Sequence, residues 1–352
     1  MKSDSPSLSG TIPLPWNQAS RYWLFVRPGS RSIPGLSEAL ITIGMQAHDG
    51  NFMLEAPAAW ADEWKRVAQA LKGCGGYDAV SVAIYGSDTA PTAMQLASHY
   101  IPAMKADAIA LNLWLGESLV LGQLIYYFQP VVRGHDSLFG YEAFVRLKRK
   151  DGELMSGAAI LSAAKALDIE YPLDRFLQAE AIKAFAATGF GGSLFVNFMP
   201  GFIQRPEVYL EGLTQTARAY GIVPKHLVLD FMHGGQGYVV PHLKRICEYC
   251  RERGYSIALD DIRSPADADA LLSAIHPNYI KLDMHLVRRA EYDTIATIVK
   301  HCHRFGATVI AEGVETEQSF AALKSVEVDL FQGYLFSPPL PAEELRSKRI
   351  SS

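Results

Sequence analysis

Residues 256–312 read SIALDDIRSPADADALLSAIHPNYIKLDMHLVRRAEYDTIATIVKHCHRFGATVIAE, and this stretch decides the fold. It contains three short runs rich in apolar and β-branched residues, which end at Asp260 and Asp261, at Lys281 and at Glu312. A segment long enough for a helix separates each run from the next. Apolar runs of about five residues that alternate with such segments predict β-α units with a parallel sheet.

The same pattern continues on both sides of this stretch. LFVNF ends near Asn197, LVLDF contains Asp230, and LFQGYLF contains Gln332. Polar residues at the carboxyl ends of successive parallel strands are where a (β/α) barrel carries its chemistry. The sequence therefore predicts an α/β fold, a barrel whose mouth is an active site.

Size and composition limit the classes of function. The chain has 352 residues, of which 49% are hydrophobic and 20% charged, so a folded core is expected rather than disorder. The formal net charge of -4 does not favour binding of duplex nucleic acid. Four cysteines are too few for a disulfide scaffold, and no apolar run approaches the ~20 residues of a membrane span. We therefore expect a cytoplasmic protein with no membrane span.

The N-terminal third has a different pattern. YWLFV and AVSVAIY are typical of strands, whereas SEALITIGMQA and AAWADEWKRVAQALKG are typical of helices. We predict a disordered N-terminus over residues 1–15 and a small α/β module over 16–100, followed by a connecting helix over 101–124 and the barrel domain over 125–352. Regulation, through a further partner, or dimerisation is the ordinary role of a small domain that precedes a catalytic barrel.

The residue types at the barrel mouth indicate a metal site. Five carboxylates gathered there would repel one another and raise one another's pKa values unless cations neutralised them. Carboxylate and amide oxygens suit hard divalent ions such as Mg²⁺ or Mn²⁺, and two such ions could hold a phosphate and activate a water molecule. Lys281 could orient that water. These residues are Glu142, Asp230, Asp260, Asp261 and Glu312, with the amide of Asn197.

Each of these residues also has a simpler interpretation when it is taken alone. An Asp-Asp pair is usually a strand-ending turn, an Asn shortly before Pro usually caps or turns, and a lone Lys is usually a solvated charge. Their shared position at the ends of successive predicted strands favours the site. The layout is that of a phosphodiesterase.

From about Tyr126 to Glu344 the sequence resembles the EAL family of cyclic di-GMP phosphodiesterases. The segments that carry the resemblance are YFQPVV, GYEAFVR, VNFMP, HLVLDF, ALDD, YIKLD, VIAEGVETE and LFQGYLFSPPLP, in the order of the family. The resemblance implies a modified TIM barrel of EAL type with a divergent first strand, two Mg²⁺ or Mn²⁺ ions, and hydrolysis of cyclic di-GMP to linear pGpG. It also implies a homodimer, since EAL barrels commonly dimerise.

The resemblance also assigns roles to individual residues. The metal set would be Glu142, Asn197, Asp230, Asp260, Asp261 and Glu312. The catalytic set would be Lys281 beside the attacking water, Glu142, Glu312 and the supporting Gln332. The ligand-binding set would be Gln129, Arg146 at a phosphate oxygen, Phe144 and Pro338 against guanine, Asp283 and Glu315.

The sequence departs from the family at several of these positions. Phe144 replaces a leucine, and Asp230 stands where the family usually has the longer Glu. The glycine-rich loop DDFGTGYSS of the family is DDIRSPADA here, with Ile262, Arg263, Ser264 and Pro265 after the aspartate pair. His233 replaces the Glu that anchors this loop in the family.

Because proline fixes φ and cannot donate a hydrogen bond, the loop cannot adopt the family conformation unchanged. One interpretation is an enzyme with a rebuilt loop, in which Arg263 supplies a positive group to the phosphate or to Asp261. The alternative is a catalytically inactive receptor that only binds cyclic di-GMP. A barrel that binds proteins and no nucleotide is disfavoured by the presence of Gln129, Glu142 and Arg146.

Overall fold

The computed structural model describes residues 19–57, 60–135, 137–203, 205–231 and 240–347. The predicted disordered N-terminus, residues 1–15, and His233 lie outside these ranges. The chain divides into two compact units, residues 1–123 with 147–172, and residues 124–146 with 173–352. No helix in the described part of the chain combines the length and the apolar character needed to cross a bilayer.

The first unit contains an antiparallel sheet of five described strands in the order β2-β3-β1-β4-β5. Its first six elements follow the β-α-β-β-α-β order of a ferredoxin-like fold. The elements are β1 Arg21–Pro28, α1 Leu36–Thr42, β2 Gln46–His48, β3 Asn51–Pro57, α2 Trp60–Gly73, β4 Val80–Gly86, α3 Ala93–Leu96, β5 Tyr100–Pro102, α4 Ala103–Asn112 and α5 Trp114–Val120.

Helix α2 shows why this unit folds. Its buried residues recur at helical spacing and include Trp60, Trp64 and Leu71, so they form one apolar face. The indole Nε1 of Trp64 donates to Asp107 Oδ1 on α4 at 2.6 Å, which ties the two helices together. The predicted connecting segment is divided into α4 and α5. The Asn112 side chain donates to the Ala108 carbonyl at 2.7 Å and competes for the acceptor that a continuing helix uses.

The second unit contains the barrel. Eight described strands close in the order β6-β14-β13-β12-β11-β10-β9-β7, and β7 also pairs with β6. The strands from β9 to β14 run parallel, whereas β6 runs antiparallel to β14. The strands are β6 Leu124–Gly134, β7 Ser137–Lys148, β9 Ser193–Phe198, β10 Leu227–Phe231, β11 Ser256–Ile262, β12 Tyr279–Leu282, β13 Thr308–Ala311 and β14 Leu330–Phe331, with β15 Leu340–Pro341 beside β6. This confirms the predicted barrel and its divergent first strand.

Helices alternate with these strands along the chain. They are α7 Glu170–Thr188, α8 Pro206–Ala219, α9 Val240–Glu252, α10 Pro265–Ile275, α11 Met284–Arg288, α12 Tyr292–Arg304, α13 Glu317–Ser325 and α14 Ala342–Ser347. Strand β8 Leu154–Ser156 and helix α6 Gly157–Ala166 lie within residues 147–172, which group with the first unit. The main apolar core lies between the barrel strands and their helices.

A smaller apolar cluster fills the inside of the barrel. Each of the eight strands contributes one side chain to this cluster. They are Val131, Phe139, Phe195, Val228, Ala258, Tyr279, Ile310 and Leu330. We call these eight side chains the apolar floor of the site.

Candidate active site

On most strands the polar residue of the site is the next inward-pointing residue after the floor residue, on the side of the barrel mouth. Because successive side chains of a strand point to opposite faces, a residue two positions after a floor residue also points into the barrel. On β6, which runs the other way, the corresponding residue lies two positions before the floor. These residues are Gln129, Asn197, Asp230, Asp260, Lys281, Glu312 and Gln332.

Glu142 reaches the same place from β7, although it lies three positions after the floor residue Phe139 and not two, so the alternation of side chains is interrupted between these residues. Its neighbours Tyr141 and Ala143 pack into the outer core, so the Glu142 side chain points inward. It is buried, with 3% of its surface exposed. The structure thus brings together Glu142 and the seven residues of the interior layer.

Lys281 lies at the centre of this group and is buried. Its Nζ is 2.6 Å from Asp230 Oδ2 and 2.7 Å from Glu312 Oε1. Glu142 Oε2 lies at 3.1 Å and Asp260 Oδ2 at 3.8 Å. One ammonium group therefore forms ion pairs with four carboxylates from four strands. Asp230 reaches it although its side chain is shorter than that of the usual glutamate.

Burial and mutual repulsion set the charge states of these groups. The pKa of Glu312 is raised to about 8, mainly by burial, against the influence of Lys281 and with the help of Asp260 and Glu142. Burial also raises the pKa of Asp230 well above its usual value, against the influence of Lys281. Burial alone would lower the pKa of Lys281, but the surrounding carboxylates raise it well above its usual value. Lys281 is thus a fixed cation.

Three amide side chains complete the interior. Gln332 Nε2 donates to Glu142 Oε2 at 2.8 Å and to Gln129 Oε1 at 3.0 Å. Gln129 Nε2 in turn donates to the Ser337 carbonyl at 3.0 Å. Asn197 Nδ2 donates to Glu142 Oε1 at 3.3 Å. Both ends of the Gln129 amide, a predicted ligand contact, are therefore engaged inside the barrel.

The altered loop continues β11 directly into α10. The pairing with β12 shifts register between Leu259 and Ile262, and Asp261 has a positive φ of 61°. The Asp261 N–H donates to Asp260 Oδ1 at 2.8 Å. Burial and the neighbouring Asp260 raise the pKa of Asp261. Asp261 therefore lies beside Asp260, in a strained conformation of the kind that clusters at functional sites.

Arg263 is mostly exposed, and its Nε lies 2.5 Å from Asp283 Oδ2. Asp283 Oδ1 also accepts the His285 N–H at 2.7 Å and so caps α11. Burial alone would raise the pKa of Asp283, but the His285 N–H and Arg263 lower it. The ion pair of Arg263 is thus with Asp283 and not with Asp261.

We call the carboxylates of Glu142, Asp230, Asp260 and Glu312 around Lys281 the acid group. Four of the predicted ligand residues make no described contact with this group. Arg146 donates to the Val145 carbonyl at 2.9 Å, and its guanidinium lies over the Tyr127 ring. Glu315 Oε1 pairs with Arg288 at 2.7 Å on the surface. Phe144 and Pro338 are partly buried.

Gly333, to which the sequence alone assigns no role, determines where Gln332 lies. A Cβ at this position would be 2.1 Å from the Val314 carbonyl oxygen. The Val314 N–H donates to the Gln332 carbonyl at 3.1 Å. Only glycine permits this approach of the segment after Glu312 to the segment after β14. The motifs AEGVETE and QGYLF, which contain these segments, are the available signal in the sequence.

The donor set fits hard divalent cations. Carboxylates from four strands and one amide oxygen converge, and among the described residues the buried Asp230 Oδ1 and Gln332 Oε1 lack hydrogen-bond partners. Within the described part of the chain, however, no three His, Cys, Asp or Glu side chains are already arranged to hold a metal ion. The ammonium group of Lys281 lies where the carboxylates converge, so cation binding requires these side chains to rearrange.

Comparison with known proteins identifies relatives of this chain. Residues 113–339 match the family model of the EAL domain. The probable cyclic di-GMP phosphodiesterase PdeG of Escherichia coli is 27% identical over 231 residues, which are 62% of this chain and 45% of that protein. This chain therefore spans less than half the length of that curated relative.

Two solved structures have the same fold. A standalone versatile EAL protein from Vibrio cholerae, bound to c-di-GMP, is 30% identical with a TM-score of 0.55, and the match covers 62% of this chain and 93% of that one. The FimX EAL domain of Xanthomonas citri, in complex with c-diGMP, is 26% identical with a TM-score of 0.59, and the match covers 68% and 96%.

Proposed function

Because the chain belongs to the EAL domain family, we propose that it hydrolyses cyclic di-GMP to linear pGpG. Water would attack one phosphorus atom, the bond from phosphorus to the ribose 3′ oxygen would break, and a proton would pass to that oxygen. The observation that carries this proposal is the convergence of four carboxylates from four strands on Lys281 at the barrel mouth.

EAL domains depend on metal ions. When bound here, two Mg²⁺ or Mn²⁺ ions would lower the pKa of a water molecule and neutralise charge on the phosphate. Their ligands would be Glu142, Asn197, Asp230, Asp260, Asp261 and Glu312. Gln332 donates to the Glu142 carboxylate and would help to orient it.

Lys281 would hold the attacking water. Its raised pKa keeps it protonated, so it can donate a hydrogen bond to the water oxygen but cannot remove a proton. Arg146 would approach a phosphate oxygen with its planar fork, while Phe144 and Pro338 would line the base. Gln129, Asp283 and Glu315 would complete the contacts with the ligand.

The setting of this activity is part of the same proposal. We infer that the protein acts in the cytoplasm as a homodimer and that the first unit, residues 1–123 with 147–172, carries regulation through a further partner.

A second candidate is a catalytically inactive receptor for cyclic di-GMP. One observation favours it: the ammonium group of Lys281 lies at the point where the carboxylates converge. A receptor that uses Arg146 and Gln129 could bind the dinucleotide without Mg²⁺, whereas hydrolysis could not proceed without a metal ion.

The deciding experiment mixes the purified full chain with cyclic di-GMP in Mg²⁺, Mn²⁺ or EDTA and measures pGpG by chromatography. Metal-dependent pGpG that disappears in Glu142→Ala, but persists in a control with the exposed Glu343→Ala, supports the enzyme. Calorimetric binding without product in either metal supports the receptor. If cyclic di-GMP does not bind at all, both candidates are wrong.

A further inference from the structure

A buried polar cluster lies between helices α7 and α8, outside the acid group. Asp174 and Gln178 are four residues apart on α7 and therefore share a helix face. Tyr209 projects from α8. The exposed fractions of the three residues are 5%, 2% and 2%. A carboxylate this deeply buried is costly unless hydrogen bonds satisfy it.

The three side chains bond to one another. Tyr209 donates its hydroxyl hydrogen to Asp174 Oδ2, and Gln178 Nε2 donates to the same oxygen at 3.0 Å. The Tyr209 hydroxyl also lies 3.2 Å from Gln178 Oε1. These mutual hydrogen bonds fix the Gln178 side chain in one orientation.

This network reaches the end of β9. Gln178 Nε2 donates to the Asn197 main-chain carbonyl at 3.4 Å. The Met199 N–H donates to the Asp174 carboxylate. The backbone around Asn197 is thus fixed by two hydrogen bonds from this cluster, one to the Asn197 carbonyl and one from the Met199 N–H. On the other side its amide faces Glu142 Oε1 at 3.3 Å.

Apolar residues of similar size would fill the space between α7, α8 and β9 without the cost of burying a carboxylate. A polar cluster there is explained if the backbone at the end of β9 must be held in one place. The pairing of β9 with β10 extends to Phe198, but the pairing with β7 ends at Val196, so Asn197 is held by the sheet on one side only before the chain leaves the sheet at Met199.

We propose that Asp174, Gln178 and Tyr209 are positioning residues that fix the β9 end so that the Asn197 amide oxygen can join the metal ligands. This assignment rests on the proposed function. Partners that orient a metal ligand through hydrogen bonds typically contribute 10–100-fold in metal affinity, which is about the effect expected here.

The test measures Mn²⁺ binding to the full chain by calorimetry, which requires no turnover. Gln178→Leu removes the contact with the Asn197 carbonyl at similar volume. Tyr209→Phe removes only the hydroxyl and keeps the ring, which packs on Phe198. The control is Thr214→Val, which removes another buried hydrogen bond of α8, the 2.7 Å contact with the Tyr255 hydroxyl.

We expect Gln178→Leu to weaken Mn²⁺ binding about 10-fold and Tyr209→Phe to weaken it by a smaller factor, while Thr214→Val binds like wild type although it is also destabilised. Wild-type affinity in both folded variants overturns the assignment and leaves the proposed function intact. If the wild-type chain itself binds no Mn²⁺, the metal-dependent function and this assignment both fail. Should Gln178→Leu not fold, Tyr209→Phe alone decides.

Discussion

Replacing Lys281 by Met removes the one ammonium group that lies within 3.1 Å of three carboxylates, those of Glu142, Asp230 and Glu312. All of these groups are buried or nearly so. Removing one partner of a buried ion pair costs about 3–5 kcal/mol, because the remaining charge is left without compensation. In EDTA we therefore expect Lys281→Met to lower the free energy of unfolding of the barrel by at least this amount.

Divalent cations should reverse much of this loss. A ligand that binds only the folded state at 100 times its Kd adds about 2.7 kcal/mol of stability. In the variant a cation enters without displacing an ammonium group. Mn²⁺ should therefore raise the unfolding midpoint of Lys281→Met more than that of wild type.

The distribution of tryptophan allows the two units to be followed separately in urea. All five tryptophans of the chain precede residue 124 in the sequence, and the four that the structure describes, Trp23, Trp60, Trp64 and Trp114, lie in the first unit. Tryptophan fluorescence therefore reports on that unit, whereas far-UV circular dichroism also follows the barrel. The control is Lys300→Met, the same change at an exposed position of α12. A Lys281→Met barrel as stable in EDTA as the Lys300→Met barrel would refute the reasoning.

Three further outcomes are expected. Gly333→Ala, whose Cβ would lie 2.1 Å from the Val314 oxygen, should destabilise the barrel by about 1–3 kcal/mol or more and abolish cyclic di-GMP binding in calorimetry, whereas Gly134→Ala, at an open position, should do neither. Burial raises the pKa of Asp174 to about 7, so the folded state binds more protons than the unfolded state from about pH 4 to pH 7. Stability should therefore fall as the pH rises across that range, by up to about 4 kcal/mol, and a pH series of urea curves should be flatter for Asp174→Asn. Asp107→Ala should lower the stability of the first unit, seen by tryptophan fluorescence, by about 2 kcal/mol, because Trp64, Lys72 and Tyr77 all bond to this carboxylate. An equal effect from the exposed Asp62→Ala would contradict that explanation.

The barrel could be predicted from two regularities of the sequence. Strand-length and helix-length segments alternate along the chain, and inward-pointing residues recur every second position within a strand. Strands such as LVLDF carry a floor residue, Val228, and a site residue, Asp230, two positions apart. The same two-residue step separates Ala258 from Asp260 and Ile310 from Glu312. Since side chains alternate across a strand, a polar residue two positions after a buried one must face the same interior. The strand-end residues are therefore recognisable from the amino-acid pattern alone.

Other features depend on contacts between distant parts of the chain, which no local pattern encodes. Asp174 and Gln178 are ordinary polar residues of a helix until the fold places the end of β9 against them. The grouping of residues 147–172 with the first unit is likewise a property of the folded chain, since nothing in that segment separates it from the barrel in sequence.

The altered loop shows how a local substitution changes meaning in its structural context. Compared with the DDFGTGYSS loop of the family, the segment DDIRSPADA has arginine and proline in place of glycines, which alone would indicate a degenerate loop. In the fold, Ser264 is the N-cap of α10, its Oγ accepts the Asp267 N–H at 3.2 Å, and Pro265 occupies the first turn, where it needs no donor. A serine cap contributes about 1 kcal/mol, and Arg263 adds an ion pair to Asp283. The loop is therefore a defined turn, and its departure from the family is compatible with the enzyme and with the receptor alike.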